Sequence, residues 1–392
     1  MTLQAHERQA QSSANCTSLR ARAAVPGTAD EGEDHRLPRF RVTVGRFDGI
    51  AGVMLSDALS GAYVAFAVRG ATLLDWRVPF AGALLSLTDG YRSRTELSRQ
   101  NGVRNGLMAP FTNRIAAGRY RFDHRDHDLL PGVAEGERLI YHGFLRELDL
   151  ELCGVREGTD GAEVLFRTDA IRPGVFPGYP YALALDVLVR FGLHGLSLTV
   201  TATNLGQLTA PFAAGWHPYF CFGDEAIDGL ELQVPASQAI LTDAELLPLP
   251  GETAYAPIAS RPELDFRAGR ALGGVAVDAC LGGLAADADG LIRSRLRDPV
   301  RGCGLTVWQQ GGLVHLFTGD TLERGARRSV AIEPVETMTD AFNRADCEAA
   351  IGLLPGASRS FRCGVQFEPV MPPLVAVGDA PGSPRTKVAG NG

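Results

Sequence analysis

Two segments of this chain carry side chains suited to moving protons. Gly215-Trp216-His217-Pro218-Tyr219-Phe220 sets a histidine among bulky apolar and aromatic groups, and Ser329-Val330-Ala331-Ile332-Glu333-Pro334 ends an apolar run on a carboxylate. Burial disfavours an imidazolium, so the His217 ring can hold or release a proton near neutral pH. Burial raises the proton affinity of a carboxylate, which suits Glu333 as a general base. On a strand, His217 and Tyr219 fall on one face and Trp216 on the other, while Pro334 is expected to end its strand abruptly. Taken singly, each has a plainer reading: a satisfied core histidine, and an exposed carboxylate at a strand end.

Polar groups that can hold a ligand occur at four further places. Asn113-Arg114, within Pro110-Phe-Thr-Asn-Arg-Ile115, joins an amide to a guanidinium whose planar fork suits sugar hydroxyls or a carboxylate, or else closes a surface salt bridge. His142-Gly143 pairs an imidazole with a glycine that lets the backbone approach a ligand, with a hydrogen-bonded structural histidine as the alternative. Asp278, after a Gly-Gly turn, is a ligand candidate, whereas Asp265 with Arg267 reads as a local structural pair. Asn343, ten residues beyond Glu333, is placed to turn back over the same pocket. His124 and His127 lie in a polar stretch with no distant partner implied, so a solvated turn is favoured over a metal site.

The elements that position these groups have a period of two. Leu196 to Asn204 alternates apolar residues with serine and threonine, follows the run Tyr181 to Phe191, and is joined to it by the turn Gly192-Leu-His-Gly195. Further strands are expected at Tyr63 to Val68, Leu145 to Leu152, Glu163 to Arg167, Leu230 to Val234, Gly304 to Trp308, Leu313 to Phe317, Ser329 to Ile332 and Phe361 to Phe367. A short helix or loop excursion is expected within Tyr91 to Gly106. The 46 glycines suit a chain that turns often, and long amphipathic helices are absent, so the fold class is all-β, a large antiparallel β-sandwich.

With 392 residues, 45% hydrophobic and 21% charged, the chain can bury a sizeable core. One domain is expected over 38–372, flanked by loose tails over 1–37 and 373–392. The formal net charge of −7 leaves no electrostatic footprint for nucleic acid or an anionic membrane. The seven cysteines are scattered singly, against a disulfide framework and for a reducing compartment. The N-terminal stretch lacks the apolar core of a secretion signal, and no run of about eighteen apolar residues occurs, so a cytoplasmic location is expected.

The order and spacing of Pro110 to Gly118, His142-Gly143, Gly215 to Phe220, Asp265-Phe-Arg267 with Asp278, and Glu333-Pro334 with Ala341-Phe-Asn343 resemble those of the aldose 1-epimerases, or galactose mutarotases. The resemblance spans the middle of the chain. It implies a β-sandwich with an open cleft and no cofactor or metal, with His217 as general acid and Glu333 as general base. It further implies that Arg114, His142, Asp278 and Asn113 bind a small sugar, an aldohexose or a relative, in a monomer or homodimer. His142-Gly-Phe and His217-Pro-Tyr-Phe differ from the patterns of galactose-specific members, which implies a divergent branch. The rival readings are a non-catalytic carbohydrate-binding protein, and a glycoside hydrolase or lyase, which would set Glu333 and Asp278 as paired carboxylates.

Overall fold

The strand Gly195–Asn204 buries Leu196, Leu198, Val200 and Ala202 on one face and turns Ser197, Thr199, Thr201 and Thr203 to the other, as its alternation demands. It pairs antiparallel with Leu183–Gly192 across the turn Leu193-His194, with Gly192 opposite Gly195. On its other side lies Ser358–Pro369, where Thr201 and Thr203 each share a 2.8 Å hydrogen bond with Ser360 and Ser358. The computed structural model describes residues 37–369; the expected tails lie outside the described residues but for Leu37.

Among the described residues these strands belong to a nine-stranded sheet, which faces an eight-stranded one. A five-stranded meander over residues 40–86 completes the layers. The inward side chains of all three sheets form one cluster, including Val53 and Trp76, Val187 and Leu305, and Val314 and Ile332. The fold is a large antiparallel β-sandwich. Among the described residues no helix is long and apolar enough to cross a membrane.

The sequence expectations meet three differences. Leu145 to Leu152 is not one strand: Phe144 and Leu145 both donate to the Ala109 carbonyl, which turns Leu145–Glu147 into a 3-10 helix before a strand begins at Glu151. Pro334 does not end its strand, which runs Val330–Val335. Its outer neighbours skip from Gly215 opposite Val335 to Tyr219 opposite Ala331, and a residue without an N–H is tolerated beside such a gap. Most of the N-terminal meander went unpredicted, because Asp75, Pro79 and several arginines and glycines interrupt its apolar alternation. The expected short helix is present at Arg94–Arg99, capped by the Ser93 hydroxyl accepting from the Glu96 N–H.

Asn105 anchors the segment around His217. It is fully buried in the left-handed backbone region (φ 56°), which asparagine tolerates well. Its side-chain oxygen accepts from the Tyr219 N–H at 2.8 Å, and its amide donates to the Leu73 carbonyl at 3.1 Å. Its backbone N–H donates to the His217 carbonyl at 3.0 Å, and its carbonyl accepts from the Trp216 indole at 3.1 Å. Asn105→Ala orphans two buried main-chain groups, so it is expected to cost on the order of 2–4 kcal/mol in chemical denaturation. A loss below about 1 kcal/mol would mean that the anchor is dispensable.

Candidate active site

The strand Val330–Val335 turns Val330 and Ile332 into the sandwich core, which leaves Ala331 and Glu333 on its other face. Its neighbour Leu313–Phe317 places His315 directly opposite Glu333, and the next strand, Asp278–Leu284, places Cys280 opposite His315 and Asp278 opposite Phe317. One face of the sheet thus carries Asp278, His315 and Glu333 in adjacent strands, through pairing alone.

His217 reaches this face from the other side. Its segment forms two short strands, Gly215–Trp216 and Tyr219–Phe220, both paired with Val330–Val335. The His217 N–H donates to the Gly106 carbonyl at 2.9 Å. The ring stacks on Tyr219 at 5.0 Å between centroids, with Nε2 3.3 Å from Glu333 Oε1. Both groups are buried, His217 6% exposed and Glu333 1%. His217 Nδ1 has no hydrogen-bond partner among the described residues.

The loops fold over from a third direction. Asn113 (φ 49°) and His142 (φ 64°) sit in left-handed turns, and the His142 N–H donates to the Asn113 carbonyl at 2.7 Å. Gly143 explains its own identity: a Cβ there would lie 2.1 Å from the Ala109 carbonyl oxygen. The His142 ring stands edge-on to that of His217 at 5.1 Å, with Nδ1 2.9 Å from Met108 Sδ. The half-buried Arg114 side chain has neither a hydrogen bond nor an ion pair among the described residues, leaving its donors for a ligand.

His217, Glu333, Arg114, His142, Asp278 and Asn113 all line one open cleft of about 950 Å³. A second cavity, about 1140 Å³, lies against the outer face of the five-stranded meander and contains none of the six. Sequence reasoning missed His315, whose signal was a titratable ring within the apolar strand Leu313-Val-His-Leu-Phe317. The aromatics within the two motifs do not reach the cleft: Trp216 is fully buried and Phe111 packs between Phe144 and Phe342 in the core. Tyr219, Phe317 and Tyr141 line the cleft instead. Asn343 does not turn over the pocket: its amide is tied to the Arg119 carbonyl at 2.9 Å and to Asp340 at 2.7 Å. Asp265 is paired with Arg267, and His127 stacks on Tyr120. Among the described residues no His, Cys, Asp or Glu cluster is arranged as metal ligands would be.

Burial dominates the electrostatics. It pushes Glu333 up to about 8, against the lowering effect of His315. It drives His217 down to about 3, with the His315 charge adding to the effect. Burial also holds His142 well below the ordinary histidine range. His315 goes the other way: burial opposes its charge, but hydrogen bonds to Asp278 and Cys280 and the charge of Glu333 raise it well above that range. Burial pulls Asp278 up, but its 2.7 Å bond to His315 leaves it lowered overall. The directions of these shifts favour one proton on the His217–Glu333 pair, on the carboxyl, with a charged His315 directly across the ladder.

The chain belongs to the aldose 1-epimerase family, whose sequence model matches residues 54–366. It is 25% identical over 238 residues to the uncharacterized protein YihR of Escherichia coli strain K12, covering 60% of this chain and 71% of that one. Among solved structures, a galactose mutarotase-like protein from Clostridium acetobutylicum superposes with a TM-score of 0.71 at 14% identity, over 84% of this chain and 99% of that one. The galactose 1-epimerase of Lactobacillus acidophilus NCFM gives 0.69 at 18% identity, over 85% and 99%.

The raised carboxyl has a consequence for stability. A folded-state value above the unfolded 4.5 means that Glu333 contributes stability at low pH that is lost as pH rises towards about 8. His217, depressed from 6.5, contributes above 6.5 and loses its contribution as pH falls. The two slopes oppose each other below 6.5, and above it that of Glu333 remains. Glu333→Gln, which cannot ionise, is expected to gain on the order of 2 kcal/mol relative to wild type between pH 6.5 and 8 in denaturant titrations. A constant difference over that range would show that the carboxyl is already ionised at neutral pH.

Proposed function

We propose that this protein is a mutarotase, interconverting the α and β anomers of an aldose by general acid–base ring opening. The observation that carries the reading is the 3.3 Å contact between His217 Nε2 and Glu333 Oε1, buried yet lining an open cleft. Ring opening takes the proton from the C1 hydroxyl and puts one on the ring oxygen as the C1–O5 bond breaks. The aldehyde then rotates about C1–C2 and closes on its other face, with every transfer reversed. Such a reaction needs one acid and one base around the anomeric centre, and a pair sharing one proton supplies both.

In the notation of ring opening, Glu333 takes the C1 hydroxyl proton and His217 protonates the ring oxygen, after the shared proton has crossed from the carboxyl to the ring along their contact. Arg114, His142, Asp278 and Asn113 hold the remaining hydroxyls, and Phe317 and Tyr141 offer apolar faces to the sugar ring. A protein that only bound carbohydrate would have no use for two ionisable groups stripped of water. A glycoside hydrolase would need a second carboxylate across the scissile bond, and the one in the cleft, Asp278, lies on the same sheet face as Glu333 and is engaged by His315.

Polarimetry on freshly dissolved single-anomer sugars tests the reading. His217→Asn and Glu333→Gln are each expected to lower kcat on the order of 10²–10⁴-fold. Near wild-type turnover in either variant would remove the acid–base assignment. Arg114→Ala, which breaks no hydrogen bond or ion pair within the described residues, is expected to raise KM about tenfold or more while leaving thermal stability unchanged. An unchanged KM would take Arg114 out of the binding set.

A further inference from the structure

The pairing of three strands leaves His315 with a part in the site that the acid–base scheme above does not assign. It lies in register between Cys280 on one side and Glu333 on the other. Its Nε2–H donates to Asp278 Oδ1 at 2.7 Å, and Cys280 lies directly across the ladder from it. The side chain is 11% exposed, and an imidazolium withdrawn from water is sustained only by charged or strongly accepting neighbours. Asp278 is such a neighbour on one flank, and Glu333 becomes one whenever it ionises.

We propose that His315 is the positioning residue of the acid–base pair: held as an imidazolium by Asp278 and set directly opposite Glu333, it determines the pH range over which the pair keeps its single proton. The proposal deepens the mutarotase reading and rests on it. A fixed positive charge beside two proton-binding groups makes each bind its proton less tightly. Without that charge, a carboxyl as buried as Glu333 would keep its proton further into the alkaline range, and the pair would be slower to release and recover it.

The groups facing the pair on every side are consistent with that role. From the adjacent strands come His315 and, beyond it, Asp278 and Cys280; from its own segment comes Tyr219, whose phenol burial holds neutral; from the loops come His142, held neutral by burial, Arg114 and Arg146. Of these, His315 is the cation set directly across the ladder from Glu333. Asp278 has a double task in this arrangement, meeting the ligand at the cleft while fixing the charge of the ring behind it.

The test is the pH dependence of kcat/KM in wild type, His315→Gln and Asp278→Asn, with a parallel carbon-13 NMR titration of the Glu333 carboxyl in the same three proteins without sugar. Glutamine keeps a donor for Asp278 but carries no charge. Asparagine at 278 leaves the ring in place and removes the group that holds its proton. The alkaline limb of the profile, and the carboxyl titration with it, are expected to move up by about one to two pH units in His315→Gln, and by less in Asp278→Asn, where the lost Asp278 charge no longer raises Glu333. A nitrogen-15 histidine spectrum is expected to show the His315 ring protonated at pH 7 in wild type and neutral in Asp278→Asn.

A plateau that falls in the variants while the limb and the carboxyl titration stay put would overturn the proposal and leave His315 a packing residue. A neutral His315 in wild type would overturn it as well. Failure of the underlying reading looks different: the wild type would then accelerate no mutarotation, while the NMR titrations, which need no turnover, still report whether His315 governs Glu333.

Discussion

Holding an imidazole nitrogen and a carboxyl oxygen 3.3 Å apart with almost no access to water is the constraint on which the rest of this structure turns. Neither group would stay there by itself, because each loses hydration that a single contact does not restore. The surrounding chain makes up the difference with rigidity. Glu333 sits mid-strand between two paired neighbours, and His217 is held through main-chain bonds to Gly106 and Asn105. Asn105 in turn ties this segment to Leu73 in the N-terminal meander, so the position of the ring is set by two sheets at once.

The eight-stranded sheet serves two purposes because successive side chains point to opposite faces. Val314, Leu316 and Ile332 close the core, while His315 and Glu333, one residue displaced, furnish the cleft. A one-residue slip of either strand would exchange the two sets, exposing apolar side chains and burying charges. The packing that stabilises the sandwich thereby fixes the register of the chemistry, and the site needs no separate scaffold. Left-handed backbone at Asn113, His142 and Gly143 then brings the loop groups within reach from outside the sheet.

Charge is arranged in a row across the sheet: Asp278, then His315, then Glu333, with His217 on the far side. Burial alone would make every member neutral. The hydrogen bond to Asp278 is what lets His315 remain charged, and the charge of His315 tempers what burial does to Glu333 and reinforces what it does to His217. The chain belongs to the aldose 1-epimerase family and shares the sandwich fold of solved relatives at 14% and 18% identity.

Much of this was legible along the chain. Alternation in Leu183–Gly192 and Gly195–Asn204 announced half-buried strands, and the bulky apolar neighbours of His217 and Glu333 announced burial, since both are local patterns with a period of two. The N-terminal meander was obscured because Asp75, Pro79 and interspersed glycines weaken a pattern that only neighbouring strands complete. His315 escaped notice for a related reason: within its own strand it is one polar residue in an apolar run. What makes it consequential is a partner 37 residues earlier and another 18 residues later, brought alongside by strand pairing. Residue type and spacing determined which groups could transfer protons; the three-dimensional sheet decided which of them meet and what charge they carry, because burial and neighbouring charge depend on contacts that no local stretch of sequence contains.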